Sequence, residues 1–255
     1  MTIRAGGALA ALVLAVSACA SAADESAADR ADGDTTTTTE LEPTTTTEAE
    51  PSTERVERLW TLAVLADDGS AQISEVIDYD FGGNERHGIF RIVPDLSPDA
   101  PITVDSPDAP DAIQVTPDVV NGRDGANIRI GDPNVTVTGR HRYRIEYPLP
   151  GVARGTTLDW GAIGTAWEVG IEEAEIHVVA PFELLDATCS VGVIGSQGGC
   201  DVTEVAPGHL MTTVHGVDSG EGLSIESRTG GGLASAPAAP QPPATTSSSA
   251  SPTPV

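Results

Sequence analysis

Residues 71–81, AQISEVIDYDF, alternate so that Ile73, Glu75, Ile77, Tyr79 and Phe81 share one side. Residues 135–147, VTVTGRHRYRIEY, do the same over a longer span. Val135, Val137, His141, Tyr143, Ile145 and Tyr147 fall on one face, and Thr136, Thr138, Arg140, Arg142, Arg144 and Glu146 on the other. A period of two belongs to extended backbone, whose successive side chains point to opposite faces, so both stretches predict half-buried antiparallel strands. Further strands are predicted over 59–66, 88–93, 112–116, 126–131, 171–180, 186–193, 201–205, 209–215 and 222–228. Turn signals separate them: Asp67-Asp68-Gly69, Pro107 to Pro110, Gly131-Asp132-Pro133, Pro148 to Gly151 and Pro207-Gly208. No segment sustains a helical period. Many short strands with Gly, Pro and Asp turns predict an all-β fold, an antiparallel β-sandwich of the immunoglobulin-like kind, flanked by disordered tails.

The alternation stops at both ends of the chain. Residues 20–54 are mostly Thr, Glu, Asp, Ala and Pro, including TTTTTELEPTTTTEAEP. Few apolar groups and a run of like charge cannot offset ordering entropy, so a disordered linker is expected, with a reach of roughly 100 Å when extended. Residues 233–255, LASAPAAPQPPATTSSSASPTPV, are expected to form a second disordered tail with polyproline II character. The folded part is then residues 55–232, roughly 175 residues, enough for one domain with a sizeable core.

The first 19 residues have the form of an export signal. Arg4 supplies the positive charge and residues 5–18 form an apolar run of 14, too short to span a bilayer. Val16-Ser17-Ala18-Cys19 follows, and small residues before a cysteine at that place look like a bacterial lipobox. Lipidation of Cys19 would tether the domain to the extracytoplasmic face of the cell membrane, each buried CH2 contributing about 0.8 kcal/mol. Cleavage after Ala22 would instead release a secreted protein. The other cysteines, Cys189 and Cys200, read as a disulfide in an oxidising compartment. Two thiols with no adjacent His make a weak metal site.

The net charge is −25, and all 13 basic residues are Arg. Nucleic acid is excluded as a partner class because phosphate binding needs a basic face. Acidity of this kind serves solubility.

The stretch GSAQISEVIDYDFGGNERHGIFRIVP resembles the opening of the bacterial membrane-protein family called domain of unknown function 2207. Its pattern is a strand with a Glu, a Tyr-x-Phe and glycine, then His-Gly-Ile-aromatic-Arg. Here these are Glu75, Tyr79, Phe81, Gly82, His87, Gly88, Ile89, Phe90 and Arg91. IRIGDPNVTVTGRHRYRIEY, LDWGAIGTAWEVGIEEAEIHVVAP, the Cys189 to Cys200 segment and GEGLSIESRTGGG agree with it, so the resemblance covers about residues 58–232. It implies an extracytoplasmic domain but no chemistry. Family members usually continue into transmembrane helices where this chain has a Pro/Ser/Thr tail, and if Cys19 is lipidated a lipid anchor replaces the helix.

Several side chains invite a functional role. Asp80, Glu85 and His87 surround the Gly82-Gly83 turn and could take a ligand or metal. The competing expectation is a corner held by an ion pair, because Glu75 lies on the buried side of its strand and Arg91 is its natural partner. Arg140, Arg142 and Arg144 form a stripe that could bind an anionic wall polymer, or could be balanced by acidic neighbours. Trp160 and Trp167 are either core or a sugar-stacking surface. Glu172, Glu173 and Glu175 cluster on one strand, and the Asp-rich loop 95–118 lacks the tight spacing of a Ca2+ loop.

No Gly-x-Ser-x-Gly elbow, free thiol nucleophile or His-x-Glu-x-x-His spacing supports hydrolysis. No catalytic residue, metal or cofactor is implied. The expectation is a non-catalytic interaction module of the cell envelope, anchored by lipid, whose partner is an envelope protein or an anionic wall polymer. The alternatives are a solute- or metal-binding lipoprotein and a glycan- or peptide-acting hydrolase.

Overall fold

The computed structural model describes residues 54–244. The export signal, Cys19, the linker up to Thr53 and the tail beyond Ala244 lie outside the described residues. Fourteen strands run in chain order: β1 Arg55–Leu65, β2 Ala71–Asp80, β3 Ile89–Pro94, β4 Thr103–Asp105, β5 Ile113–Val120, β6 Arg123–Ile130, β7 Arg140–Leu149, β8 Ala153–Arg154, β9 Thr157–Ile163, β10 Ile171–Val179, β11 Phe182–Gly192, β12 Thr203–Ala206, β13 His209–Val217 and β14 Gly222–Gly232.

The fold is all-β among the described residues. Three strands escaped the sequence. β4 and β8 are too short to show a period, and β9 hides its alternation (Leu158, Trp160, Ala162 inward) behind Asp159 and Gly161. The long 135–147 alternation is also cut. Gly139 adopts φ +73°, β7 starts at Arg140, and Val137 makes only an isolated bridge to Arg86. A period of two survives such a kink in sequence, but the hydrogen-bond ladder does not.

The strands form a seven-stranded sheet, β12-β13-β10-β1-β2-β7-β4, a four-stranded sheet, β11-β14-β9-β8, and a three-stranded sheet, β3-β6-β5. Every pairing is antiparallel except β1 with β10. That pair sits in the middle of the largest sheet, and β1 is buried on both faces from Leu59 to Ala63. A parallel pair flanked on both faces favours such continuous apolar runs over clean alternation. This strand order does not establish the immunoglobulin-like refinement of the fold.

One core draws on all three sheets. Leu59, Ile73, Ile77, Tyr143, Ile145, Ile176 and Leu210 come from the seven-stranded sheet, Leu158, Leu184 and Ile225 from the four-stranded sheet, and Ile89 and Ile128 from the three-stranded sheet. The start of β3 is locked against the end of β6 through two glycines. A Cβ on Gly88 would lie 1.8 Å from the Ile130 carbonyl oxygen, and one on Gly131 2.0 Å from that of His87. Backbones approach this closely only where neither residue has a side chain.

Candidate functional site

On the inner face of the seven-stranded sheet, Glu75 of β2 is 1% exposed. Arg91 of β3 reaches it from the three-stranded sheet, Nε donating to Oε2 and Nη2 to Oε1, both at 2.8 Å. Tyr147 of β7 donates its hydroxyl to Glu75 Oε1 at 2.6 Å, and Arg91 Nη1 donates to the Ile92 carbonyl at 2.8 Å. The guanidinium lies 5.4 Å from the centroid of the Trp167 ring. Burial works against the charge on Arg91, but the attraction of Glu75 outweighs it and raises the pKa above the ordinary arginine range. Burial, then the Glu75 charge, pushes the Tyr147 phenol well up. A bidentate pair with its remaining oxygens bonded is the form in which a buried ion pair is tolerated. It bonds the two sheets at one point.

The turn at Asp80 to His87 is a corner. Asp80 accepts from the Gly82 amide at 2.8 Å and pairs with Arg55 at 2.9 Å, while Gly82 takes φ +58°. His87 is exposed, its Nδ1 3.0 Å from the Val135 carbonyl, and Glu85 is also exposed. Asp80 and His87 therefore serve separate partners. Among the described residues no group of three or more His, Cys, Asp or Glu is placed to hold a metal.

The outer face of the same sheet carries rows of paired charge. In register across β10, β1, β2 and β7, one row reads Glu173, Arg58, Asp78, Arg142, with alternating sign. Arg58 Nε lies 3.4 Å from Glu173 and its Nη2 3.2 Å from Glu175. Arg142 holds Asp78 with Nε at 2.5 Å and Nη2 at 2.6 Å, and these hydrogen bonds raise its pKa. Arg140 lies 2.8 Å from Glu57, and Arg55 lies 2.7 Å from Glu172. The arginine stripe thus lies on one face, with carboxylates of neighbouring strands set against Arg140 and Arg142. Arg144 follows in the same column, opposite Val76. Cross-strand pairs of opposite sign fix register at modest energy each.

Next to this row lies a line of rings. Trp60 of β1, His177 of β10 and His209 of β13 have centroids 5.8 and 5.3 Å apart. His177 Nε2 is 2.9 Å from Glu175 Oε1, and its Nδ1 is 3.1 Å from His209 Nε2. The carboxylate can only accept, so with both rings neutral His209 donates to His177 and His177 to Glu175. Burial, then the neighbouring His177, lowers the His209 pKa. Burial alone would raise Glu175, but its hydrogen bond and charge pairing with His177, joined by Arg58, hold the carboxyl below the usual range. None of these rings was singled out from the sequence. The signal was present, because alternation in 171–180 puts Glu173, Glu175, His177 and Val179 on one side.

Away from this face, Cys189 of β11 is bonded to Cys200. Trp160 and Trp167 are both buried, with Trp160 lining a cleft of about 310 Å³ that also reaches Arg91 and Tyr147. Among the described residues no helix is long and apolar enough to cross a membrane.

The family model described as "Predicted membrane protein (DUF2207) N-terminal domain" matches residues 55–229. Among curated proteins, none matches the chain. Solved structures with some likeness include a candidate protease from Parabacteroides distasonis, at TM-score 0.38 and 11% identity, covering 68% of this chain and 40% of that one. An M1 zinc metallopeptidase from Deinococcus radiodurans gives TM-score 0.35 and 12% identity, covering 68% and 42%. This chain spans about two fifths of the length of those proteins, and at such scores the likeness carries no argument about activity.

Proposed function

The chain belongs to the family of the predicted membrane protein (DUF2207) N-terminal domain, and on that premise we propose that it is an exported, lipid-anchored interaction module of the bacterial cell envelope that performs no chemistry. One observation supports this most. The acids and histidines that could have served catalysis on the outer sheet face are engaged with one another or with arginine: Glu172 with Arg55, Glu173 and Glu175 with Arg58, and His177 with Glu175 and His209. A general acid or base must reach the proton it moves, and His177 and His209 are buried, 5% and 7% exposed, while the cross-strand pairs around them serve register. The lipid anchor is attributed to Cys19, from the small residues that precede it and the apolar run before them.

Crosslinking on intact cells, read by mass spectrometry with the parent beside Cys19→Ala, tests the proposal. A discrete envelope partner that is lost when the variant is shed into the medium is the expected result. Retention of Cys19→Ala in the membrane fraction overturns the anchor. An anchored parent that crosslinks to nothing overturns the interaction module.

A further inference from the structure

Trp60 projects from the face of the seven-stranded sheet opposite the core, yet it is only 2% exposed. It forms a small cluster of its own with Leu62, Val76 and Val179, and Val64 packs beside them. Apolar residues in the middle of an outer sheet face need a cover. Residues 233–244 run without a strand, and they return to this sheet.

Both ends of that segment are fixed. The Leu233 amide donates to the Pro181 carbonyl at 2.8 Å, just past the end of β10. At the far end Arg142 Nη1 donates to the Pro243 and Ala244 carbonyls at 3.3 and 2.8 Å. Arg142, which also holds Asp78, is 11% exposed, while its neighbour Arg140 is 69% exposed. From Pro181 to the row of Glu173 and Arg142 is about 27 Å along the strands and about 14 Å across three strand spacings, a diagonal of about 30 Å. At about 3.1 Å per residue, polyproline II chain from Leu233 to Pro243 spans about 31 Å. Between the ends, the half-buried positions are Pro237, Pro240 and Pro243, and all others from Ala234 to Ala244 are exposed. A spacing of three is the period of polyproline II. Grooves that read this helix present aromatic rings to the prolines and a polar donor to the backbone carbonyls. Along this path the sheet offers the rings of Trp60 on β1 and His177 on β10, and the donor at its far end is Arg142.

We propose that the outer face of the seven-stranded sheet, along Trp60 and Arg142, is a polyproline II-binding groove whose occupant is this chain's own Pro237-x-x-Pro240-x-x-Pro243 segment. The groove gives the interaction module a ligand class and in that sense rests on the module proposal. Its test reads Trp60 and not envelope partners, so either proposal can fail alone.

The test is hydroxyl-radical footprinting of the otherwise complete chain carrying Pro237→Ala, Pro240→Ala and Pro243→Ala, read at Trp60 with Trp160 as the buried control. The substitutions lie in the tail and leave every strand intact. Oxidation of Trp60 is expected to rise severalfold with Trp160 unchanged. Adding the peptide LASAPAAPQPPA at about 1 mM, the order of the effective concentration of a short tether, is expected to restore protection. The same peptide with alanine at the three proline positions is expected to fail. Unchanged Trp60 oxidation in the triple variant, a parallel rise at Trp160, or equal protection by both peptides would each overturn the groove. In Arg142→Gln, which keeps the prolines and removes the guanidinium from the Pro243 and Ala244 carbonyls, a smaller rise at Trp60 is expected, and no rise counts against the placement of Pro243.

Discussion

Arg91 meets Glu75 at 2.8 Å on the inner face of the seven-stranded sheet, and Arg140 meets Glu57 at the same 2.8 Å on the outer face. The first two side chains are 5% and 1% exposed, the second two 69% and 25%. Distance is equal, so the surroundings make the difference. Inside, each charge has left water, and its partner, the Tyr147 hydroxyl, the Ile92 carbonyl and the Trp167 ring replace that hydration. Outside, water and salt share the work, and removing one partner leaves the other solvated.

The sharpest way to break the comparison is Arg91→Leu. It strands Glu75 in the core, and a loss of about 3–5 kcal/mol is expected, seen as a drop in Tm of about 10 °C. The double variant Glu75→Leu with Arg91→Leu should recover most of that loss, because no unpaired charge remains. A double variant as unstable as the single would mean that packing and not charge governs the site.

A covalent constraint provides a reference that neither face controls. Cys189→Ser with Cys200→Ser is expected to cost about 3 kcal/mol in chemical denaturation by the chain-entropy account, and the loss should not change with salt.

The histidine pair lies between the two extremes, on the outer face but largely buried. Because the His209 pKa is lowered in the fold, the unfolded chain takes up its proton first as pH falls through the ordinary value near 6.5. Stability should therefore decline below that pH, with Glu175 adding a further loss once pH falls below the ordinary carboxylate value of 4.5. His209→Gln should flatten the upper part of the profile in thermal melts. Arg58 and His177 adjoin the same cluster and stay in place in that variant.

Arg140→Ala should have the smallest effect, about 0–1 kcal/mol, and that effect should vanish in about 1 M salt, while the Arg91→Leu loss persists. A salt-insensitive loss at Arg140 would erase the distinction between the faces.

Much of this arrangement was legible before any coordinates. Alternation put Glu75 among Ile73, Ile77 and Tyr79, and a carboxylate in that company demands a cation, which made Arg91 the natural partner. The same alternation grouped Arg140, Arg142 and Arg144 on one side. It did not reveal β9, whose Asp159 and Gly161 interrupt the apolar positions, and it ran through Gly139, where the chain turns out of the ladder. The predicted strand 59–66, LWTLAVLA, is apolar on both sides, so alternation did not tell which side of the sheet Trp60 takes. Its place on the outer face is set by pairing with Val76 of β2 and Glu175 of β10, contacts distant in sequence.

The sequence by itself determined the β class, the sides on which side chains fall and the charges that had to be matched, because these follow from a local period and the cost of burying ions. The tertiary structure alone decided which strands are neighbours. The parallel contact of β1 with β10 joins segments more than 100 residues apart, and it sets Trp60 beside His177 and Arg58 beside Glu173. Pairing across a sheet is chosen by the fit of whole faces, and no short stretch of chain carries that information.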